Sequence, residues 1–188
     1  DQPFVLGATR VDLPTYRSAY LAVLKMFYDA GIPEINGHLL YGVSEAAYEA
    51  VYCWMKQEGI MSPILQAIDA HKQTKGQPVE TVFEQVMNKF LDAWQARAGM
   101  KTYSQAVADV MKFQIKEGLD YEMDVAEWQA FSRDICFEEA REKARSMGIN
   151  PVWNCELAKS PEGYYQVQGG IDYAIAKSLA AAPFADLI

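Results

Sequence analysis

Chemistry in a chain of 188 residues has to come from a small set of side chains, and here the usual sets are thin. The three cysteines, Cys53, Cys136 and Cys155, are odd in number and show no Cys-x-x-Cys spacing. They read as buried or free thiols of a reducing compartment, not as a disulfide framework. His38 and His71 stand far apart without a His-Glu-x-x-His pattern, so no zinc site is expected. No Ser-His-Asp or Cys-His set assembles from spacing. The acid-rich run from Asp120 to Glu127 invites a cation, but it lacks the glycine and the ligand ladder of a calcium loop. It reads as the acidic start of a helix. The glycines of 163–170 lack the lysine context and the preceding strand of a phosphate loop.

What remains is one stretch, Ile149 to Gly170, dense in turn formers and aromatic rings. A loop this long inside a compact domain is usually functional or disordered. Trp153, Tyr164 and Tyr165 argue against disorder, because disordered segments are poor in aromatics. A helix over 171–183 and a short apolar strand, Phe184 to Ile188, are expected to follow. Loop, helix, strand is the order in which a piece of a βα barrel reads.

Composition narrows the class. Hydrophobic residues make up 51% and charged residues 22%, ordinary globular material. A formal net charge of −8 speaks against wrapping nucleic acid or docking on an anionic membrane. No apolar run approaches the ~20 residues needed to span a bilayer, and no signal peptide opens the sequence. The sequence lacks an initiator methionine and stops on a strand-like segment, so a fragment of a longer protein is expected.

The elements that must hold the loop are helical. Residues 1–13 are expected to be extended, with Gly7 and Asp12 as breakers. Pro14 suits a first turn, and Tyr16, Tyr20, Leu24, Phe27 and Tyr28 follow at helical spacing, a core or subunit-contact stripe ended by Gly31. Residues 32–43 form a turn-rich link around Asn36-Gly37, with His38 padding the turn. Ser44 caps a helix to Gly59, and Ser62-Pro63 begins another to Gly76, with His71 near its end. Pro78 opens the most regular helix, in which Val79, Val82, Phe83, Val86, Met87, Phe90, Leu91 and Trp94 share one face. Thr102 and Gln105 form a capping box for the next, which runs to Gly118. Asp124 and Glu127 cap one long helix from there to Gly148. Short connections favour neighbours packed antiparallel, a helical bundle.

The loop also carries a resemblance. Lys159-Ser160-Pro161-Glu162-Gly163-Tyr164-Tyr165, then Gly169-Gly170-Ile171, Ala174-Ile175 and Ala182-Pro183-Phe184-Ala185-Asp186-Leu187-Ile188, resembles the isocitrate lyase family in its longer bacterial form. There the segment reads Gly-Glu-Arg-Thr-x-Glu-Gly-Phe/Tyr-Phe/Tyr and leads through a helix into Ala-Pro-Tyr/Phe-Ala-Asp-Leu-Ile/Val. Asp1 to Thr9 resembles the family's preceding segment, and long members separate the two by a helical insert. This sequence departs at Leu157, Ala158, Lys159 and Ser160, where the family has glycine, glutamate, arginine and threonine.

The resemblance implies a mainly α chain in three parts: a barrel-edge segment 1–9, a helical insert 10–147, and a barrel segment 148–188. The last would belong to a (β/α)8 TIM-type barrel of the phosphoenolpyruvate/isocitrate lyase kind. It implies cleavage of isocitrate to glyoxylate and succinate, a magnesium ion held outside this chain, a cytoplasmic homo-tetramer, and Lys159 as a substrate-carboxylate donor with Ser160 beside it. The family's catalytic Lys-Lys-Cys-Gly-His does not occur here, and Cys155 sits in a different context. The fragment alone is expected to be inactive. A related lyase acting on methylisocitrate, and a stand-alone helical interaction or regulatory module, stay open.

Overall fold

Helices, with a few two-residue strands among them, make up the computed structural model, which describes residues 2–42, 44–73 and 76–185. In chain order they are β1 (Leu6–Gly7), α1 (Tyr16–Asp29), β2 (Glu34–Ile35), β3 (His38–Leu39), α2 (Glu49–Gln57), α3 (Met61–Gln73), α4 (Val79–Ala98) and β4 (Lys101–Thr102), followed by α5 (Tyr103–Lys116), α6 (Val125–Phe131), α7 (Phe137–Ser146) and α8 (Ile171–Ala181). The chain divides into two compact units. One comprises 12–98 with 159–164; the other comprises 1–11, 99–158 and 165–188.

In the first unit α1 packs on both α2 and α4, while α3 bridges α2 and α4. The apolar stripes meet at a core containing Phe27, Met55, Ile68, Phe90 and Trp94, all essentially inaccessible. Rings meet edge to face: Tyr16 on Trp94 at 5.2 Å and Phe27 on Phe83 at 5.4 Å, arrangements that add to plain burial. The Trp94 indole N–H donates to the Pro14 carbonyl at 3.2 Å, so the ring is satisfied as well as buried. Arg97 grips Glu58 through its carboxylate and, at 3.1 Å, through its carbonyl. Asn36 and Gly37 both take positive φ, 52° and 74°, and turn β2 back onto β3. That sign pattern is the primed hairpin turn the dipeptide favours. His38 is exposed on β3, paired in register with Ile35.

In the second unit Val107, Met111, Trp128, Ala144 and Ile149 form a sealed cluster between α5, α6 and α7. The Trp128 indole donates to Ser104 O at 3.0 Å. Both capping boxes expected from sequence are present, at Thr102 with Gln105 and at Asp124 with Glu127. The acid-rich run is thus a helix start.

Four expectations are corrected. The single helix expected after Asp124 is two, because the chain turns at Ser132–Asp134 and Cys136 restarts it, its N–H donating to Glu139 Oε2 at 3.0 Å. Gly7 does not break the N-terminal stretch; it lies in β1, which pairs antiparallel with β4. A Cβ there would stand 2.4 Å from the Trp153 ring, so the position requires glycine to admit the indole. Ser44 sits at the N-cap position but makes no side-chain capping bond, and the segment starts as a 3-10 turn, Glu45–Tyr48. Phe184, expected to start a strand, ends the 3-10 turn Ala182–Phe184, and residues 186–188 of that strand lie outside the described residues. Of the thiols, Cys53 and Cys136 are exposed and Cys155 half-buried; none forms a disulfide.

Candidate functional site

The loop from Ile149 to Gly170 is stitched down at several points. Ile149 is part of the core beneath α5 and α7. Trp153 packs edge-on to Tyr103 at 5.5 Å and against Phe137 at 5.3 Å, and its indole N–H donates to Lys101 O at 2.8 Å. Asn154 and Ala8 exchange backbone bonds of 2.9 and 3.0 Å. Further on, Leu6 N–H donates to Gln166 O at 2.8 Å and Gln168 N–H to Phe4 O at 2.7 Å. The loop therefore borrows the N-terminal strand as its template. This satisfies backbone groups that an irregular segment would otherwise leave orphaned.

Lys159 follows a one-turn 3-10 helix, Glu156–Ala158. Ala158 is fully buried, and its carbonyl accepts from Gln166 Nε2 at 2.7 Å. Tyr165 pins the start of that turn by donating its hydroxyl to Glu156 Oε1 at 2.6 Å. Lys159 is half-buried, as is Ser160.

Past Lys159 the chain closes a tight bend. Ser160 N–H donates to Tyr164 O at 2.8 Å and Gly163 N–H donates to Ser160 O at 2.9 Å. Tyr164 N–H donates to Ser160 Oγ at 3.2 Å. Gly163 takes φ +93°, which only glycine adopts without strain. The bond from the Ser160 hydroxyl, followed by one from the backbone, holds the exposed Glu162 carboxyl below its ordinary range. Within this unit Glu162 also faces α1. Burial first, then Tyr20 and Glu162, push the Tyr16 phenol upward, and burial followed by Glu162 does the same to Tyr20. Sequence reasoning gave no signal for that neighbourhood, because Tyr16 and Glu162 stand at opposite ends of the chain.

The other singled-out residues do not join this bend. Cys155 lies just before the 3-10 turn, and His71 is in the last turn of α3. Among the described residues no three His, Cys, Asp or Glu side chains gather where they could hold a metal ion. Among the described residues, therefore, no such group fits a magnesium centre. A cavity of about 390 Å³ opens where α8 begins, with Ser104, Gln105, Ser132, Arg133 and Asp172 on its walls, and neither Lys159 nor Ser160 lines it. It offers no nucleophile–base pair, and the chemistry argued from the bend does not extend to it. No helix of the described residues is long and apolar enough to cross a membrane.

The bend, its ordered loop and the helical region before it can be set against known proteins. Residues 66–188 match the model of the Isocitrate lyase family. All 188 residues align at 48% identity with "Isocitrate lyase 2" of Mycobacterium tuberculosis (strain ATCC 35801 / TMC 107 / Erdman), covering 100% of this chain and 24% of that protein. "Isocitrate lyase" of Oryza sativa subsp. japonica is 33% identical over 101 residues, 52% of this chain and 18% of that one. "2-methylisocitrate lyase, mitochondrial" of Hypocrea atroviridis is 30% identical over 99 residues, 50% of this chain and 17% of that one. The chain thus spans a quarter or less of the length of these relatives. Over most of its length it follows one family's sequence: this chain belongs to the isocitrate lyase family.

Proposed function

We propose that the protein containing this segment cleaves isocitrate to glyoxylate and succinate, serving the glyoxylate bypass in the cytoplasm as a homo-tetramer. Lys159 supplies a positive charge to a substrate carboxylate. The observation that carries this reading is that Lys159 leads directly into the closed Ser160–Tyr164 bend, at the position where the family segment has arginine. The bend fixes the backbone from which the lysine stem leaves, and a positioned group gains over a solvated one. Breaking the carbon–carbon bond leaves an electron pair beside a carboxylate, so negative charge gathers there in the transition state and gains from a nearby ammonium. Lysine provides this as a point charge, without arginine's two-pronged fork.

The 188 residues alone are expected to be inactive, since the family's Lys-Lys-Cys-Gly-His is not among them. Residues 10–147 are proposed as an insert relative to short family members, a division by sequence and distinct from the division by contact. Residues 148–188 are proposed to contribute one loop, helix and strand to a (β/α)8 barrel. Magnesium would supply Lewis-acid charge to the reaction, and its ligands are proposed to lie outside this chain.

The test is Lys159→Ala in the intact enzyme. The Michaelis constant for isocitrate should rise roughly ten-fold or more and turnover should fall; unchanged constants would remove Lys159 from the site. A second reading, action on methylisocitrate, draws on the similarity to the Hypocrea atroviridis enzyme. Comparing kcat/KM for the two acids decides between them. A stand-alone helical module is the weaker reading for a member of a lyase family.

A further inference from the structure

We propose that a cavity between α3 and α4 binds a small monocarboxylate with an apolar body, at a site separate from Lys159. Every residue that lines it lies between Glu58 and Arg97, inside the first unit. Glu58, Gly59 and Ile60 are all that join α2 to α3. Gly59 turns the chain at φ +68°, and Ile60 N–H donates to Met55 O at 2.9 Å. Beside this turn α3 and α4 leave a cavity of about 300 Å³, the size at which ordinary small-molecule sites begin. Its apolar lining is Ile60, Ile64, Val86 and Phe90, all buried, while Ala67 and Ala93 offer only a methyl each and leave the space open.

The polar groups on the walls are few, and they carry a sign. Arg97 is fixed by three hydrogen bonds: Nε to the Glu58 carboxylate, Nη1 to Ala93 O at 3.1 Å and Nη2 to Glu58 O at 3.1 Å. A guanidinium has five N–H donors, so two stay uncommitted among the described residues. Lys89 is exposed at the rim, and no acid among the described residues pairs with it. Glu58 is the one acid on the walls, and Arg97 already holds it. The lining therefore carries net positive charge in a chain whose formal net charge is −8.

That combination selects the ligand. A wholly apolar molecule would leave Lys89 and the spare Arg97 donors unmatched, and a small polar anion would leave the apolar lining unused. One carboxylate on an apolar body satisfies both, and its planar oxygens suit a guanidinium. A docked helix would need a row of apolar pockets spaced by its turns, and this is a single cavity.

The experiment is calorimetric titration of the intact protein with octanoate as the probe. Saturable binding at one per chain is expected, with a Kd of about a millimolar or tighter. Butyrate, four methylenes shorter, should bind roughly ten-fold more weakly or worse. Lys89→Ala should weaken octanoate about ten-fold and leave cleavage of isocitrate unchanged. Octan-1-ol should bind more weakly than octanoate and be indifferent to Lys89→Ala; equal binding of the two would remove the carboxylate from the proposal. Ala67→Phe fills the space and should abolish binding, with the melting temperature checked to exclude unfolding. Should that variant fail to fold, Lys89→Glu takes its place, and unweakened octanoate binding there counts against the site. Lys159→Ala separates the two sites: octanoate affinity should not change, and its loss would place the probe beside Lys159 and defeat the proposal. No saturable binding to the intact protein would mean that protein fills the cavity, and the proposal falls.

Discussion

Lys159 brings charge to its loop, and its neighbours bring the constraint. Gly163 shows how narrow that constraint is. Its φ of +93° belongs to glycine, yet a Cβ built there meets nothing within 4 Å. Gly163→Ala therefore tests backbone strain alone, at a cost of about 1 kcal/mol or more. Because the bend is exposed and local, that cost should open the bend without melting the unit. We expect KM for isocitrate in the intact enzyme to rise several-fold while the melting temperature moves little; a large drop in melting temperature with unchanged KM would show that the bend serves stability instead. Lys159 could be singled out in the sequence only through its resemblance to a family segment. Alone it is one lysine among the 17 basic residues of the chain. The approach of Glu162 to Tyr16 and Tyr20 had no sequence trace, since no local pattern joins residues separated by most of the chain.

Helices were legible where an apolar stripe of period 3.6 ran uninterrupted into a glycine. α4 is the clearest case: Val82, Phe83, Val86, Met87, Phe90 and Trp94 are all buried. The break between α6 and α7 was not legible, because neither proline nor glycine marks it and cysteine is a poor advertisement for an N-cap. Cys136 nevertheless holds cap geometry (φ −75°, ψ 164°), with its N–H donating to Glu139 Oε2. Serine there has an oxygen suited to accept from the first turn, so Cys136→Ser should stabilise α7 by about 0.5 kcal/mol or more, read as a higher denaturant midpoint. A lower midpoint would mean that the sulfur packs better than an oxygen bonds. Between α1 and α2 the test is alkaline pH. Burial first, then Asp29, Glu45 and Tyr48, push the Tyr52 phenol from 10.0 to about 12. Its folded value lies above the unfolded one, so its contribution is complete below pH 10 and is lost as pH rises towards about 12. Thermal unfolding across that window should show a steeper loss in the parent than in Tyr52→Phe. Equal slopes would assign the alkaline loss to other groups.

At the scale of the whole chain, the two units seal their own cores around Trp94 and Trp128, but one element contributes nothing to either. α8 buries no residue, and Ile171, Ile175 and Leu179 recur along it at i, i+4, i+8 with 78%, 52% and 68% of their surface exposed. Phe184, just beyond, is 90% exposed. An 11-residue helix is shorter than the ~12–15 residues at which isolated helices become even marginal in water. It therefore needs a covered face; Phe4 packs on Tyr173 in its first turn, and Lys177 lies over the same ring from within the helix. Under the barrel arrangement proposed above, the rest of the barrel covers this stripe; in the 188 residues by themselves it meets water. An exposed stripe of this kind is an association liability. Expressed alone, the segment should bind a hydrophobic dye and sediment as concentration-dependent oligomers. Ile175→Glu with Leu179→Glu should abolish both signals while leaving the unfolding of the Trp94 and Trp128 cores unchanged, since neither residue reaches a core. A wild-type segment that stays monomeric and dark to the dye would show that α8 folds back and shields its own stripe.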